Sequence, residues 1–163
     1  MKEYFDAEIE YVELLIGALR DIRSDSIQKA QQFIPICHMH IGDDFKNYND
    51  QYGHTAGDIV LKAISNSLRS IIGQRGVISR FGGEEFSIFL PEAANKEAKQ
   101  IAEQLRKDIK AVDIQFRRVK TNVTVSIGLA SFPLDGKFVD ELIQKADERL
   151  YIAKRQGKDR VVS

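Results

Sequence analysis

The stretch Val77–Leu90, VISRFGGEEFSIFL, holds two apolar runs joined by Gly82 and Gly83, with Glu84 and Glu85 directly behind. Gly-Gly between two such runs signals a β-hairpin, because glycine reaches positive φ without a Cβ clash. A tight turn has no need of acids beside it. Two adjacent carboxylates there suit a hard divalent cation, since Mg2+ takes oxygen ligands, commonly one or two carboxylates plus substrate phosphates. The glycines then serve twice, making the turn and letting a bulky ligand reach the backbone. On these four residues alone, a solvated hairpin tip with ordinary surface acids carries the greater weight.

The chain of 163 residues has room for one domain with a proper core. Lys plus Arg and Asp plus Glu are equal at 24 each, so no global field favours nucleic acid or an anionic membrane. Any anion must be held by local groups. Cys37 is the one cysteine, which excludes an internal disulfide and fits a reducing cytosol. No apolar run approaches membrane-spanning length, and MKEYFDAEIE lacks a signal-peptide core. The expectation is a cytoplasmic protein with no nucleic-acid or membrane partner.

Outward from the hairpin, Phe5, Ile9, Val12, Ile16 and Leu19 are spaced four, three, four, three, a helical pattern with heptad character. It suits packing on the chain's own domain or an intermolecular coiled coil. Ser24–Ser26 offer N-caps for a short helix over Ile27–Phe33. Residues 1–33 are thus expected as an N-terminal helical segment and 34–163 as the main domain, in one compact unit. Ile34–Ile41 predicts a buried strand, and the polar stretch from Gly42 to Asp58 predicts turns. Helices are expected over Asp58–Ile72, Lys96–Val112 and Val139–Arg155, a strand over NVTVSIGLASF (122–132), and an edge strand in DRVVS. The fold class is α/β (α+β), a mixed central β-sheet flanked by helices. His38 and His40 alternate onto one strand face, but with no third ligand nearby they suit hydrogen bonding better than a metal.

Four stretches change the weight given to the hairpin acids. DDFKNYNDQYGHTAGDIVL (43–61), RFGGEEFSIFLP (80–91), VTVSIGLASF (123–132) and ADERLYIAKRQGKDRVV (146–162) occur in this order. Together they resemble the GGDEF family, diguanylate cyclases that join two GTP molecules into cyclic di-GMP. The resemblance covers Ile34 to Val162 and implies a nucleotide-cyclase palm-like fold, Mg2+ or Mn2+ as cofactor, and a homodimer. It implies catalytic, metal-ligating acids at Glu84 and Glu85, and glycines at Gly82 and Gly83 that admit the nucleotide. Phe45 and Lys46 match the phosphate-holding loop, and Asn49 and Asp58 the pair that reads guanine. Asp58 is chemically apt, since a carboxylate can accept from guanine N1–H and N2–H2. Lys154 and Lys158 match the cations that neutralise the outer phosphates. At Lys158 the family usually has arginine, so a bidentate fork is lost and the charge kept. His54 suits a structural loop role better than catalysis.

The family's D-x-D-x-F-K pattern breaks here. Its first aspartate falls on Ile41, which cannot ligate a cation, and its second is Asp43, a metal ligand if the local backbone bulges. The product-inhibition motif R-x-x-D is replaced by GQRG (73–76), without either charged anchor. Two functions follow: a diguanylate cyclase, or a catalytically impaired GTP- or cyclic-dinucleotide-binding module acting through a sensory or regulatory partner.

Overall fold

Ile34–Ile41 forms β1, the middle strand of a five-stranded sheet in a computed structural model that describes residues 34–41, 45–80, 82–91 and 93–163. The expected helices at Phe5–Leu19 and Ile27–Phe33 lie outside the described residues. The elements that follow are α1 (Phe45–Tyr52), α2 (His54–Ile72), β2 (Val77–Arg80), β3 (Glu85–Phe89) and α3 (Asn95–Lys110). A small β4–β5 hairpin (Ile114–Phe116, Val119–Thr121), β6 (Val125–Phe132), α4 (Val139–Arg155) and β7 (Val161–Val162) complete the chain. The sheet order is β2-β3-β1-β6-β7, with β1 antiparallel to both neighbours and β7 parallel to β6 at the edge. The sheet is mixed, as expected.

Side-chain alternation assigns the two faces. Met39, Phe86, Ile88, Val125, Ile127 and Leu129 are buried in one core with Val60, Ile64 and Leu68 of α2 and the α3 stripe Ala98, Ile101, Ala102, Leu105 and Ile109. Each fully buried aliphatic side chain contributes roughly 1.5–3 kcal/mol. On the opposite face Ala130 packs with Leu142 and Ala146 of α4. Gly128 lets α4 come this close: a Cβ there would lie 1.9 Å from the Ala146 carbonyl oxygen and 2.5 Å from the Leu150 nitrogen. Both are backbone atoms, so neither can swing aside.

Three expectations need correction. The polar segment before α2 contains α1, an eight-residue helix that buries Phe45. Next, α2 begins at His54, so Asp58 is its fifth residue and His54 its exposed first, not a loop residue. Last, Gly82 and Gly83 are absent from the left-handed region, where the described glycines are Gly53, Gly73 and Gly157. The hairpin is closed instead by a longer loop, with Gly82 N–H donating to the Glu85 carbonyl at 3.3 Å. No helix among the described residues is long and apolar enough to cross a membrane.

The connection from β6 into α4 is fixed by an ion pair. Arg149 grips Asp135 with two guanidinium nitrogens, at 2.7 and 2.8 Å, and also donates to the Leu129 carbonyl at 2.8 Å. Ser131 N–H donates to the same carboxylate at 2.9 Å. Burial pushes the Asp135 carboxyl up, but Arg149, the Ser131 amide and the Lys145 charge outweigh it and hold it below the usual aspartate range. A depressed folded-state pKa means stability present above the unfolded value, about 3.9, and lost as pH falls through the folded value. Denaturant melts should therefore show stability declining below about pH 4, with a shallower decline in Asp135→Asn. Identical pH slopes for both proteins would refute the assignment.

Candidate functional site

The register of β1 gathers the site at one end of the sheet. His40 stands opposite Glu85 on one side and Ser126 on the other, and Ile41 opposite Val125. The end of β1 and the acidic start of β3 therefore share an edge, and β1 leads from there towards α1. Arg80 stiffens the hairpin loop: Nε donates to the carbonyls of Gly82 and Gly83 at 3.2 and 3.1 Å, and Nη2 to Gly83 at 2.5 Å. A Cβ on Gly83 would meet nothing within 4 Å. The fold itself does not require glycine there. Its small size leaves open space outside the chain.

Electrostatics ties this loop to α4. Burial pushes the Glu84 carboxyl above its ordinary value, the Lys154 charge opposes that, and neighbouring Glu85 adds to it. Glu84, Glu85 and Lys154 are thus within electrostatic reach, with Lys154 half-buried in the last turn of α4. Among the described residues no group of three His, Cys, Asp or Glu could hold a metal ion. Two carboxylates nonetheless fit Mg2+, which commonly completes its shell with water and phosphate oxygens. A cation beside Glu84 would offset the cost of its partial burial and of the Glu85 charge. Asp43 lies outside the described residues.

A second group forms where α1 meets α2. Gly53, with φ of 84°, turns the chain, and its N–H donates to the Asn49 carbonyl at 2.8 Å. The Asn49 side chain then lies on Gly57: a Cβ there would be 1.9 Å from Asn49 Oδ1 and 3.0 Å from Phe45 Cζ. Asn49 Oδ1 is buried and has no hydrogen-bond partner among the described residues. Such an orphaned acceptor costs about 1–3 kcal/mol, so it calls for an explanation. Asp58, next in the chain after Gly57, is exposed, as is Lys46. Lys158 sits in the turn after α4 with φ of 63°. A cavity of about 400 Å³ lined by Gln74, Arg75, Leu90, Pro91 and Glu97 lies at the far end of the hairpin and includes none of the site residues.

A family model described as "Diguanylate cyclase, GGDEF domain" matches residues 18–160. The chain belongs to the GGDEF family. The family match begins well ahead of Ile34, where the motif resemblance starts. Among curated relatives, diguanylate cyclase A of Treponema denticola is 39% identical over 119 residues, covering 73% of this chain and 32% of that protein's length. This chain thus spans about a third of it. The GGDEF domain of DgcB from Caulobacter crescentus, solved with c-di-GMP, superposes with a TM-score of 0.82 at 25% identity, covering 92% of this chain and 88% of that one. The active GGEEF domain of a diguanylate cyclase from Vibrio cholerae gives 0.77 at 29% identity, covering 88% and 91%. These likenesses confirm the mixed sheet with helices on its faces as the GGDEF fold.

The motif reading missed Arg80, although an arginine two residues before a loop with free carbonyls is a visible signal. It also missed Gly57 as the seat of Asn49, because a glycine inside a helix announces close packing without naming the partner. If Gly57 makes room for Asn49, Gly57→Ala should destabilise the protein despite alanine's better helix propensity. The loss should shrink by about 0.5 kcal/mol or more when Asn49 is also alanine. Equal losses in both backgrounds, by denaturant melts, would show that Asn49 is not what Gly57 accommodates.

Proposed function

We propose that this chain is a diguanylate cyclase domain in which two copies each bind one GTP and together condense them to cyclic di-GMP. The observation that carries the reading is the Glu84–Glu85–Lys154 charge cluster beside the open Gly83 turn. A triphosphate brings negative charge and bulk, and the site offers space at Gly83, cationic charge from Lys154, and carboxylates for a divalent ion. Mg2+ or Mn2+ held by Glu84 and Glu85, with Asp43, would supply positive charge to the phosphates. Gly82 and Gly83 would admit the nucleotide, and Phe45 and Lys46 would contact its phosphates, with Lys154 and Lys158 neutralising the outer ones. Asn49 and Asp58 would read guanine, the exposed Asp58 carboxylate accepting from its N–H groups.

In this reading each 3′-hydroxyl attacks the α-phosphate of the other GTP, two phosphodiester bonds form, and two pyrophosphates leave. One chain holds one nucleotide, so the chemistry needs a homodimer facing across a two-fold axis. The Vibrio cholerae domain is active with the same GGEEF residues that occupy 82–86 here, which supports Glu84 in a role the family name gives to aspartate. GTP as substrate is consistent with a cytoplasmic site of action. Residues 1–33 would then be a helical segment through which a sensory or regulatory partner acts.

A second reading rests on Ile41. It ends β1 beside the acidic start of β3, where an aspartate would complete the metal site, and isoleucine supplies no ligand. The chain would then bind GTP or a cyclic dinucleotide without turning it over. Incubation with GTP and Mg2+ or Mn2+, followed by detection of cyclic di-GMP, separates the two. Product supports the cyclase, while GTP binding without product under either metal supports the binding module. Ile41→Asp should then raise turnover and gain thermal stability on metal addition, since a ligand bound only by the folded state shifts the equilibrium towards it.

Guanine selectivity has its own test. Asp58 is the fifth residue of α2, so Asp58→Ala removes no helix cap and should leave the fold intact. It should weaken GTP by about 1.5–3 kcal/mol, the range for a hydrogen bond to a charged group, and leave ATP nearly unchanged. Equal losses for GTP and ATP in calorimetric titrations would remove Asp58 from the guanine site.

A further inference from the structure

Three consecutive residues after α4 have left-handed φ: Gly157 at 108°, Lys158 at 63° and Asp159 at 45°. Glycine adopts such angles freely, whereas lysine and aspartate are strained there and persist only when their surroundings hold them. The holding contacts are specific. Lys158 N–H donates to the Ala153 carbonyl at 3.0 Å, which ties the turn to the end of α4. Arg160 Nε donates to the Lys158 carbonyl at 3.1 Å, and the Arg160 carbonyl accepts from Ile127 N–H at 2.9 Å, which ties the other side to β6. Between them the Asp159 carboxylate accepts from Arg106 Nη1 at 2.7 Å and Lys110 Nζ at 2.6 Å, both on α3. Arg106 is itself steadied by Glu103 at 3.1 Å.

We propose that Asp159, anchored by Arg106 and Lys110, is a positioning residue that fixes the left-handed turn presenting Lys158 to the outer phosphates of a bound nucleotide. The proposal rests on the reading of Lys158 as a phosphate-binding cation. Two physical effects support it. The anchor sets the backbone from which Lys158 projects, and relaxation to a right-handed φ would redirect its Cβ. The two cations also neutralise an acid adjacent to the phosphate-binding lysine, which would otherwise oppose an incoming triphosphate. Arg106 is mostly withdrawn from solvent and holds the greater part of the anchor. Lys110 is more than half exposed and screened by solvent, so it holds less.

The test uses the full chain, Mg2+ and two probes: 3′-deoxy-GTP, which cannot condense, and GMP, which lacks the outer phosphates. Arg106→Met should weaken 3′-deoxy-GTP roughly three- to tenfold, a fraction of a charge-assisted contact, and leave GMP unchanged. Lys110→Met, an exposed change that spares folding, should act in the same direction but less. Arg106→Lys, which keeps the charge, should recover part of the loss. In a Lys158→Ala chain, Arg106→Met should cost clearly less than in the parent chain, keeping only the part due to the uncovered Asp159 charge. Equal weakening of both probes, or a full additional loss in the Lys158→Ala background, would overturn the positioning role while leaving Lys158 a phosphate ligand. Unchanged 3′-deoxy-GTP affinity in Lys158→Ala itself would overturn the proposal through the reading beneath it, and the cyclase assay would be untouched by that result.

Discussion

The central placement of β1, hydrogen-bonded to β3 on one side and β6 on the other, constrains everything else in the molecule. Because strand side chains alternate, one register places Met39 in the core with α2 and α3 and puts His40 opposite Glu85. A slip of one residue would reverse the faces and move the hairpin acids away from the end of β1. The apolar residues of β3 and β6 prevent it, since Phe86, Ile88, Ile127 and Leu129 would lose their burial together. The core thus fixes where the acids stand, although none of the acids is in the core.

Around that frame, charge is distributed locally in a chain whose formal net charge is zero. Glu84 is partly desolvated beside a second acid and countered by Lys154 from a helix of the opposite layer. Elsewhere acids are paired at close range, Asp135 with Arg149 and Asp159 with Arg106 and Lys110. The contrast is chemical. Asp135 and Asp159 have depressed pKa values and hold loops in place, whereas burial and the Glu85 charge raise Glu84 against the opposing charge of Lys154.

Close approach is the second recurrent device. Gly128 admits the backbone of α4, Gly57 admits the Asn49 side chain, and Gly83 faces empty space. The first two glycines are needed by the fold. The third is not, since no packing contact requires its lack of a side chain.

The amino-acid sequence determined the elements whose side-chain periodicity matches their burial. Val139–Arg155 and the Ala98–Ile109 stripe were legible because each buries an apolar set at helical spacing, and Ile34–Ile41 because its apolar run has the length of a strand. The GGEE turn, Asn49, Asp58 and the two lysines were legible as ordered motifs. Helix α1 was not, because its residues are mostly polar and one of them, Phe45, is buried. The β4–β5 hairpin was missed for a related reason: Arg117, with φ of 56°, turns it where an Asn-Gly pair would have announced it. Tertiary structure alone decided that Glu84 lies within reach of Lys154, that Asn49 rests on Gly57 with an orphaned oxygen, and that Asp159 is clamped by α3. These are contacts between residues distant in the chain or on separate helices. Their geometry depends on how layers pack, which no local pattern encodes.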